Sequence, residues 1–230
     1  MKKNSSKNRF AFTLVELVFI VIAVGILSAV IVPRMQSSRL REAADQVVSH
    51  IRYTQHLAMI DDKFDPSGVN GDWYKERWQI LFEQNDDGMW SYTIFSDNIN
   101  TDGYPEEIEI AINPQDSSRR LTGGSTLGTI NYDNSIVTKN LNLGKTYGII
   151  GADGISFNDK CNNEGILRIT FDYLGRPMSR NPNAYTELYD DTNLLVSQGH
   201  DNLCTITIKD ESGDSLNMTI QPETGFAEVV

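Results

Sequence analysis

One carboxylate lies inside an apolar run near the start of the chain, and its position suggests a chemical role. The run covers residues 12–32 and reads FTLVELVFIVIAVGILSAVIV, so Glu16 is its only charged residue. As an α-helix it would rise about 31 Å, which matches the hydrocarbon core of a bilayer. A carboxylate near the edge of such a segment is costly, and it usually pairs with a group outside its own helix. We therefore expect Glu16 to bind a charged partner, although it could also reach back to the membrane surface.

A second set of residues has the spacing of a calcium-binding loop. Asn98, Asn100 and Asp102 alternate along the chain, Gly103 follows, and Glu109 comes six residues after that glycine. Carboxylate and amide oxygens at this spacing can surround Ca²⁺ in an irregular shell. An ordinary polar turn is the competing interpretation, since Asn98 stands where aspartate is usual and Glu109 falls in a strand-like alternation.

The two cysteines, Cys161 and Cys204, are far apart in sequence and lack the spacing of metal ligands. If the domain is extracytoplasmic, we expect them to form one disulfide, and two buried free thiols are the alternative. A disulfide across so long a loop would stabilise the fold by roughly 3–4 kcal/mol in the chain-entropy account.

Motifs for catalysis or nucleotide binding are not evident. The Gly144-Lys145-Thr146 triplet lacks the glycine that a P-loop needs at position 139, where Lys139 stands. There is no Gly-x-Ser-x-Gly sequence, and the three histidines, His50, His56 and His200, are predicted to lie at solvated helix and loop positions. The formal net charge of −11 disfavours binding to phosphate backbones. The sequence therefore predicts a chain that is not an enzyme and does not bind nucleic acid.

Charge and periodicity divide the chain into four segments. Residues 1–11 form a basic leader, and residues 12–33 form the apolar helix. Residues 34–62 are predicted to form an amphipathic helix, because apolar residues recur every three or four positions. Residues 63–230 form a predicted extracytoplasmic β-rich domain. The apolar stripe of the second helix consists of Leu40, Ala44, Val47, Ile51, Thr54 and Ala58.

The downstream domain shows alternating patterns separated by turn residues. The segments 77–83 and 89–95 flank Asn85-Asp86-Asp87-Gly88, which predicts a hairpin. Further strands are predicted in 107–112, 166–173, 205–209, 216–220 and 226–230. We therefore expect an α+β fold, in which a long N-terminal helix packs its stripe on seven or more short antiparallel strands.

The N-terminal sequence resembles type IV pilins and the pseudopilins of type II secretion systems. A basic leader is followed by small Ala11, then by Phe12 and a helix in which Glu16, Gly25 and Pro33 fall at positions typical of the family. Ala11 departs from the family, which usually has glycine before the cut. The stretch 169–177, ITFDYLGRP, is similar to that of H-type minor pseudopilins.

The resemblance implies a processing and assembly pathway. Prepilin peptidase would cut between Ala11 and Phe12 and methylate the new amine of Phe12. In the family, the glutamate is thought to neutralise the terminal amine of a neighbouring subunit, a role that falls here to Glu16. Gly25 and Pro33 would give the helix flexibility. Other pilins or pseudopilins, an inner-membrane platform protein and an assembly ATPase are the implied partners.

The expected function is thus a structural subunit of a type IV pilus or a type II secretion pseudopilus. The chain would span the inner membrane once, with its C-terminal domain in the periplasm, before it enters a filament. The alternative is a single-pass anchored binding domain that never assembles. A plain anchor would keep its leader, so cleavage after Ala11 separates the two hypotheses.

Overall fold

The computed structural model describes residues 14–61, 63–65, 72–99, 101–161, 165–187, 194–195 and 203–230, with the side chains of 29–38 excepted. The chain forms two compact units, 1–39 and 40–230, and helix α1 (Leu14–Ile60, 47 residues) contributes to both. Within the described residues we find no helix that combines the length and the apolar character needed to cross a membrane. The fold is α+β, with helices and antiparallel sheets.

The part of α1 that belongs to the second unit buries one face in the core. All six residues of the predicted stripe are buried, including Val47, Ile51 and Thr54, which are fully shielded from solvent. Polar side chains beside the stripe bind the backbone of the β domain. The Arg52 guanidinium donates to the carbonyl of Ala227 (2.6 and 2.9 Å). The three-and-four spacing therefore positions this helix by burying its apolar side and hydrogen-bonding its flanks.

The predicted hairpin forms one side of the first sheet. Strands β1 (Trp78–Gln84) and β2 (Trp90–Ser96) pair antiparallel, with Trp78 opposite Ser96 and Gln84 opposite Trp90. The turn between them contains Gly88, whose φ of 76° favours glycine. The order of this sheet is β2-β1-β4-β5, completed by β4 (Leu167–Phe171) and β5 (Pro177–Met178).

The second sheet is built from the C-terminal strands and one earlier strand. Its order is β3-β6-β7-β8, formed by β3 (Ile155–Phe157), β6 (Cys204–Lys209), β7 (Ser215–Ile220) and β8 (Ala227–Val229). The turn from β6 to β7 contains Gly213 at a φ of 90°, a backbone conformation that favours glycine. The sequence did not predict β3.

Both sheets contribute to one core around the buried part of α1, and a smaller cluster covers the other face of β1. Ile80 and Phe82 belong to the main core, whereas Leu81 belongs to the second cluster together with Phe95 and Ile110. Strand β1 is therefore buried on both faces, and the long segment after β2 supplies the second cover. That segment also contains the loop described below.

The prediction of a strand at 107–112 is wrong. In the structure, Ile110 and Ile112 form only isolated bridges, to Phe95 and Arg120 respectively. The Glu109 amide donates to the carbonyl of Glu106 (3.0 Å), which makes a turn where the alternation predicts extended chain. The side chain of Glu109 is buried, so the alternation of apolar and polar residues does not correspond here to a buried face and a solvent-exposed face.

Two further features lie in the β domain. Cys161 and Cys204 form a disulfide, with their Cα atoms 4.6 Å apart. A short helix, α2 (Leu143–Tyr147), begins at Asn142, whose side chain accepts a hydrogen bond from the amide of Lys145. It ends at Gly148 in a left-handed conformation. Thus the segment that superficially resembles a nucleotide-binding loop is a capped helical turn.

Candidate functional site

The first part of α1 exposes apolar side chains around its circumference. From residue 14 to residue 28, every described side chain is exposed except that of Ala23, which is intermediate. Leu14 and Phe19 are 78% and 73% exposed. Glu16 lies in the first helical turn among these residues. A Cβ added at Gly25 would have no heavy atom within 4 Å, so this glycine is not required by packing inside the chain.

Three of the residues predicted to act in processing and assembly lie wholly or partly outside the described part of the chain. Ala11 and Phe12 precede the first described residue, so the predicted cleavage site is not among the residues that the structure describes. Pro33 falls inside the bounds of α1, but its side chain is not described. Of the residues predicted to act in assembly, Glu16 and Gly25 therefore have a structural environment to compare with the prediction.

The loop after β2 contains the predicted calcium ligands, but it uses Glu109 differently. One carboxylate oxygen of Glu109 accepts hydrogen bonds from the amides of Asn98 (2.7 Å) and Ile99 (2.8 Å). Its other oxygen accepts from the amide of Glu106 (3.1 Å). Glu109 therefore closes the loop by binding backbone donors, which occupies both oxygens of the residue that was predicted to be the final metal ligand.

Three other carboxylates of this loop converge. One oxygen each from Asp97, Asp102 and Glu106 lie within 4.8 Å of one another. Asp97 follows directly after β2 and is 1% exposed, Glu106 is half-buried, and Asp102 is exposed. The cluster thus runs from the end of β2 to the surface.

The backbone and a buried cation hold Asp97 in place. The Gly103 amide donates to Oδ2 of Asp97 (2.5 Å), and the carbonyl of Gly103 accepts from Nη2 of Arg168 (2.8 Å). Arg168 is itself 1% exposed, and its Nη1 donates to Oε1 of Gln79 (2.8 Å). Gly103 has a φ of 91°, and a Cβ there would lie 2.0 Å from the Asn181 side chain, so glycine is required.

The electrostatics of Asp97 reflect this environment. Burial raises its pKa to about 6; the charges of Asp102 and Glu106 act in the same direction, while the Gly103 amide and Arg168 oppose them. Its Oδ1 is buried and has no hydrogen-bond partner among the described residues. A buried carboxylate oxygen without a donor is energetically costly.

The acidic cluster contains one residue of the predicted ligand set. Asp102 belongs to the cluster, whereas Asn98 and Glu109 do not, and Asn100 lies outside the described residues. Sequence reasoning missed Asp97 and Glu106, because burial and the turn at Glu106 depend on contacts from distant strands. A signal was available for Asp97, which is an acidic residue directly after a strongly apolar, aromatic strand.

The chain matches no protein-family model, no characterised protein and no solved structure. Its function is therefore inferred from the chemistry of the residues themselves. Two regions provide that chemistry, namely the exposed start of α1 and the acidic loop after β2.

The segment that resembles H-type minor pseudopilins forms a tight turn between β4 and β5. The buried carboxylate of Asp172 accepts from the amides of Leu174 (3.0 Å) and Arg176 (2.8 Å), and from Nε of Arg176 (2.7 Å). The carbonyl of Gly175 accepts from Nε2 of Gln55 on α1 (2.7 Å). This turn therefore attaches the first sheet to the buried part of the helix.

Proposed function

We propose that this chain is a structural subunit of a pilin-type filament, either a type IV pilus or a type II secretion pseudopilus. It would be cut between Ala11 and Phe12, methylated at Phe12, and assembled through the first part of α1. The β domain would then distinguish this subunit from others in the same filament. This is a structural function and requires no catalytic residue in the chain.

The exposed apolar start of α1 is the observation that supports this proposal most strongly. Eleven large hydrophobic side chains are exposed there, more than the chain could leave in water without association. The residues concerned are Leu14, Val15, Leu17, Val18, Phe19, Ile20, Val21, Ile22, Val24, Ile26 and Leu27. A helix that is apolar all round is buried in lipid or among other helices, and a filament subunit uses both environments in turn.

The position of Glu16 favours a filament over a plain anchor. Cleavage before Phe12 would create an α-amino group four residues upstream of Glu16, on the same face of the helix. A carboxylate at membrane depth costs on the order of 3 kcal/mol on insertion scales. The amine of a neighbouring subunit would offset this cost, so assembly would be favoured over storage in the lipid. A plain anchor has no use for such a residue.

The second unit is compatible with the globular part of a pilin. Its helix packs one stripe against antiparallel sheets, and the Asp172–Arg176 turn binds that helix through Gln55. The proposed pilin fold joins this arrangement to the exposed helix start. The disulfide between Cys161 and Cys204 suits an oxidising compartment such as the periplasm.

The proposal places the chain in the inner membrane first, with its C-terminal domain in the periplasm, and later in a filament. Prepilin peptidase, a platform protein, an assembly ATPase and other pilins or pseudopilins would be its partners. An acidic chain with a net charge of −11 is not suited to binding nucleic acid through its phosphates.

The test of assembly is a Glu16→Ala substitution in cells that make the filament. We expect the variant to remain in the membrane fraction but to be lost from sheared or purified filaments by at least tenfold. The matched control is Glu42→Ala, which removes an exposed carboxylate from the later part of the same helix.

The control variant should enter filaments normally. Equal incorporation of the Glu16→Ala and wild-type chains would show that the carboxylate does not act in docking. If the wild-type chain itself were absent from filaments, the anchored binding domain would become the better hypothesis.

A further inference from the structure

A small cleft in the second unit is rich in aromatic side chains. It has a volume of about 260 Å³ and lies between the end of α1, a short 3₁₀ helix (Trp73–Lys75) and the start of β1. Six of the eleven described residues that line it are aromatic, against 9% of the whole chain. These six are Phe64, Trp73, Tyr74, Trp78, Phe171 and Tyr173. The third tryptophan of the chain, Trp90, is buried elsewhere and donates from Nε1 to the carbonyl of Gly151.

Contacts within the cleft fix the orientation of these rings. Trp73 makes near-perpendicular contacts with Phe64 (ring centroids 5.3 Å apart) and Tyr74 (6.4 Å). Nε1 of Trp78 donates to Oδ2 of Asp61, just after α1 (2.8 Å). Trp73, Tyr74 and Trp78 are half-buried, and Phe64 is exposed. A fixed and partly exposed ring loses little conformational entropy when a ligand stacks on it, so the cleft is preorganised for binding.

The charged groups of the cleft balance one another. Asp61 and Glu76 contribute two carboxylates, and Lys63 and Arg77 contribute two cations. Nζ of Lys63 lies 2.9 Å from Oδ2 of Asp61 and 5.8 Å from the centre of the Trp78 ring. The cleft thus has no net charge when all four groups are ionised. It therefore offers no strong electrostatic preference for a cation or an anion, which favours a neutral ligand.

The same groups disfavour a ligand that is purely hydrocarbon. Covering Glu76 or Lys63 with hydrocarbon would remove water from a charged group without supplying a hydrogen-bond partner, which is costly. Burial already raises the pKa of Glu76, and the charge of Lys63 opposes that shift. A hydroxyl that donates to the Glu76 carboxylate would replace the lost water. The ligand that fits best therefore has an apolar face for the rings and hydroxyls at its edge.

We propose that this aromatic cleft binds one pyranose unit of a neutral carbohydrate. A pyranose has C–H groups on the face of its ring and hydroxyls around its edge, which is the distribution that the cleft requires. The volume is below the about 300–1,000 Å³ of sites for drug-sized ligands, so it suits a single ring. Trp73 stacks on the C–H face, and Glu76 accepts a hydrogen bond from a hydroxyl. The proposal goes beyond the filament function and does not depend on it.

The site can be tested by saturation-transfer difference NMR on the full-length chain, in a detergent without a sugar head group such as lauryldimethylamine oxide. The probes are methyl β-D-glucopyranoside, methyl β-D-galactopyranoside and methyl N-acetyl-β-D-glucosaminide. We expect at least one of them to bind with a Kd of roughly 10⁻³ M, as for a ligand of about a dozen non-hydrogen atoms. The C–H protons of one ring face should receive the strongest saturation. Sorbitol has similar hydroxyls but no ring face, and it should bind about tenfold more weakly or not at all.

Trp73→Ala and Glu76→Ala should each raise the Kd by about tenfold or more, because they remove the stacking ring and the hydrogen-bond acceptor. Phe226→Ala is the matched control, since Phe226 is an aromatic residue of the same unit, 48% exposed and outside the cleft. It should change the Kd by less than about twofold. Melting curves of the three variants check that each of them folds.

Three results would overturn the proposal. One is the absence of saturable binding of all three glycosides at concentrations up to about tenfold above the expected Kd. Another is equal binding of sorbitol, or equal weakening by the Phe226 and Trp73 substitutions, since either would indicate contacts that the cleft does not provide. The third is tighter binding of tetramethylammonium chloride than of any glycoside, which would make the cleft a site for organic cations.

Discussion

The two parts of helix α1 with described side chains differ in the exposure of their apolar residues. Residues 14–28 are apolar on every side and exposed, whereas from residue 40 onward the apolar residues lie in one stripe that the β domain covers. The spacing of apolar residues, more than their number, decides whether the rest of the same chain can cover the apolar surface of a helix. The later part is positioned by contacts within its own unit, whereas the function proposed above covers the earlier part with lipid or another chain.

Truncating a side chain in the buried stripe should have the largest effect of the changes that test this contrast. Ile51 is fully buried, and Ile51→Ala should destabilise the second unit by about 2–5 kcal/mol through lost burial and a residual cavity. The measurement is urea unfolding of the full-length chain in detergent, followed by near-UV circular dichroism.

Ile20→Ala is the control, because Ile20 lies in the exposed part of the same helix and is 47% exposed. It should change the free energy of unfolding by less than about 0.5 kcal/mol. Similar losses for both variants would show that the two parts are stabilised in the same way, against the contrast drawn above.

A smaller effect concerns a polar residue at the edge of the stripe. Nδ1 of His50 lies 2.6 Å from the hydroxyl of Tyr92, which also accepts from Nε2 of Gln46 (2.8 Å). In this arrangement a neutral imidazole can accept the hydroxyl proton of Tyr92 at Nδ1. Burial lowers the pKa of His50 to about 4, well below the 6.5 of an exposed histidine.

Because the folded pKa is below the unfolded one, the unfolded chain binds the proton first. Neutral His50 thus contributes its full stability above about pH 6.5, and this contribution falls as the pH drops towards 4, by at most about 3 kcal/mol. Denaturant midpoints between pH 7 and pH 4.5 should show this slope. His50→Gln should flatten it, whereas His56→Gln, at an exposed position, should not. If the stability of the His50→Gln variant showed the same slope against pH as that of the wild-type chain, other groups would cause the pH dependence.

Local patterns predicted much of the architecture. The turn residues at 85–88 correctly predicted the β1–β2 hairpin, and the apolar stripe from Leu40 to Ala58 correctly predicted the buried face of the helix. Both features depend on residues that are close in sequence. Alternation failed at 107–112, where Glu109 turns inward to bind backbone amides of its own loop. Hydrogen bonds from a side chain to nearby backbone amides can stabilise a turn where a period-two pattern predicts a strand.

The candidate sites differ in the same way. Glu16 could be singled out from sequence because its environment, an apolar run, is local. Asp97 was missed, although it directly follows an apolar strand, because its environment includes the Gly103 turn and Arg168, which come from other parts of the sequence. Sequence spacing thus located the acidic loop but selected Glu109, which binds backbone amides, and not the buried Asp97.

The central claim is that the chain is processed before Phe12 to become a filament subunit. The most direct measurement is intact and N-terminal mass spectrometry of the chain from cells with and without active prepilin peptidase. The account predicts that residues 1–11 are absent and that Phe12 bears an N-methyl group only when the peptidase is active. An intact Met1, or an unprocessed leader, in cells with active peptidase would contradict it.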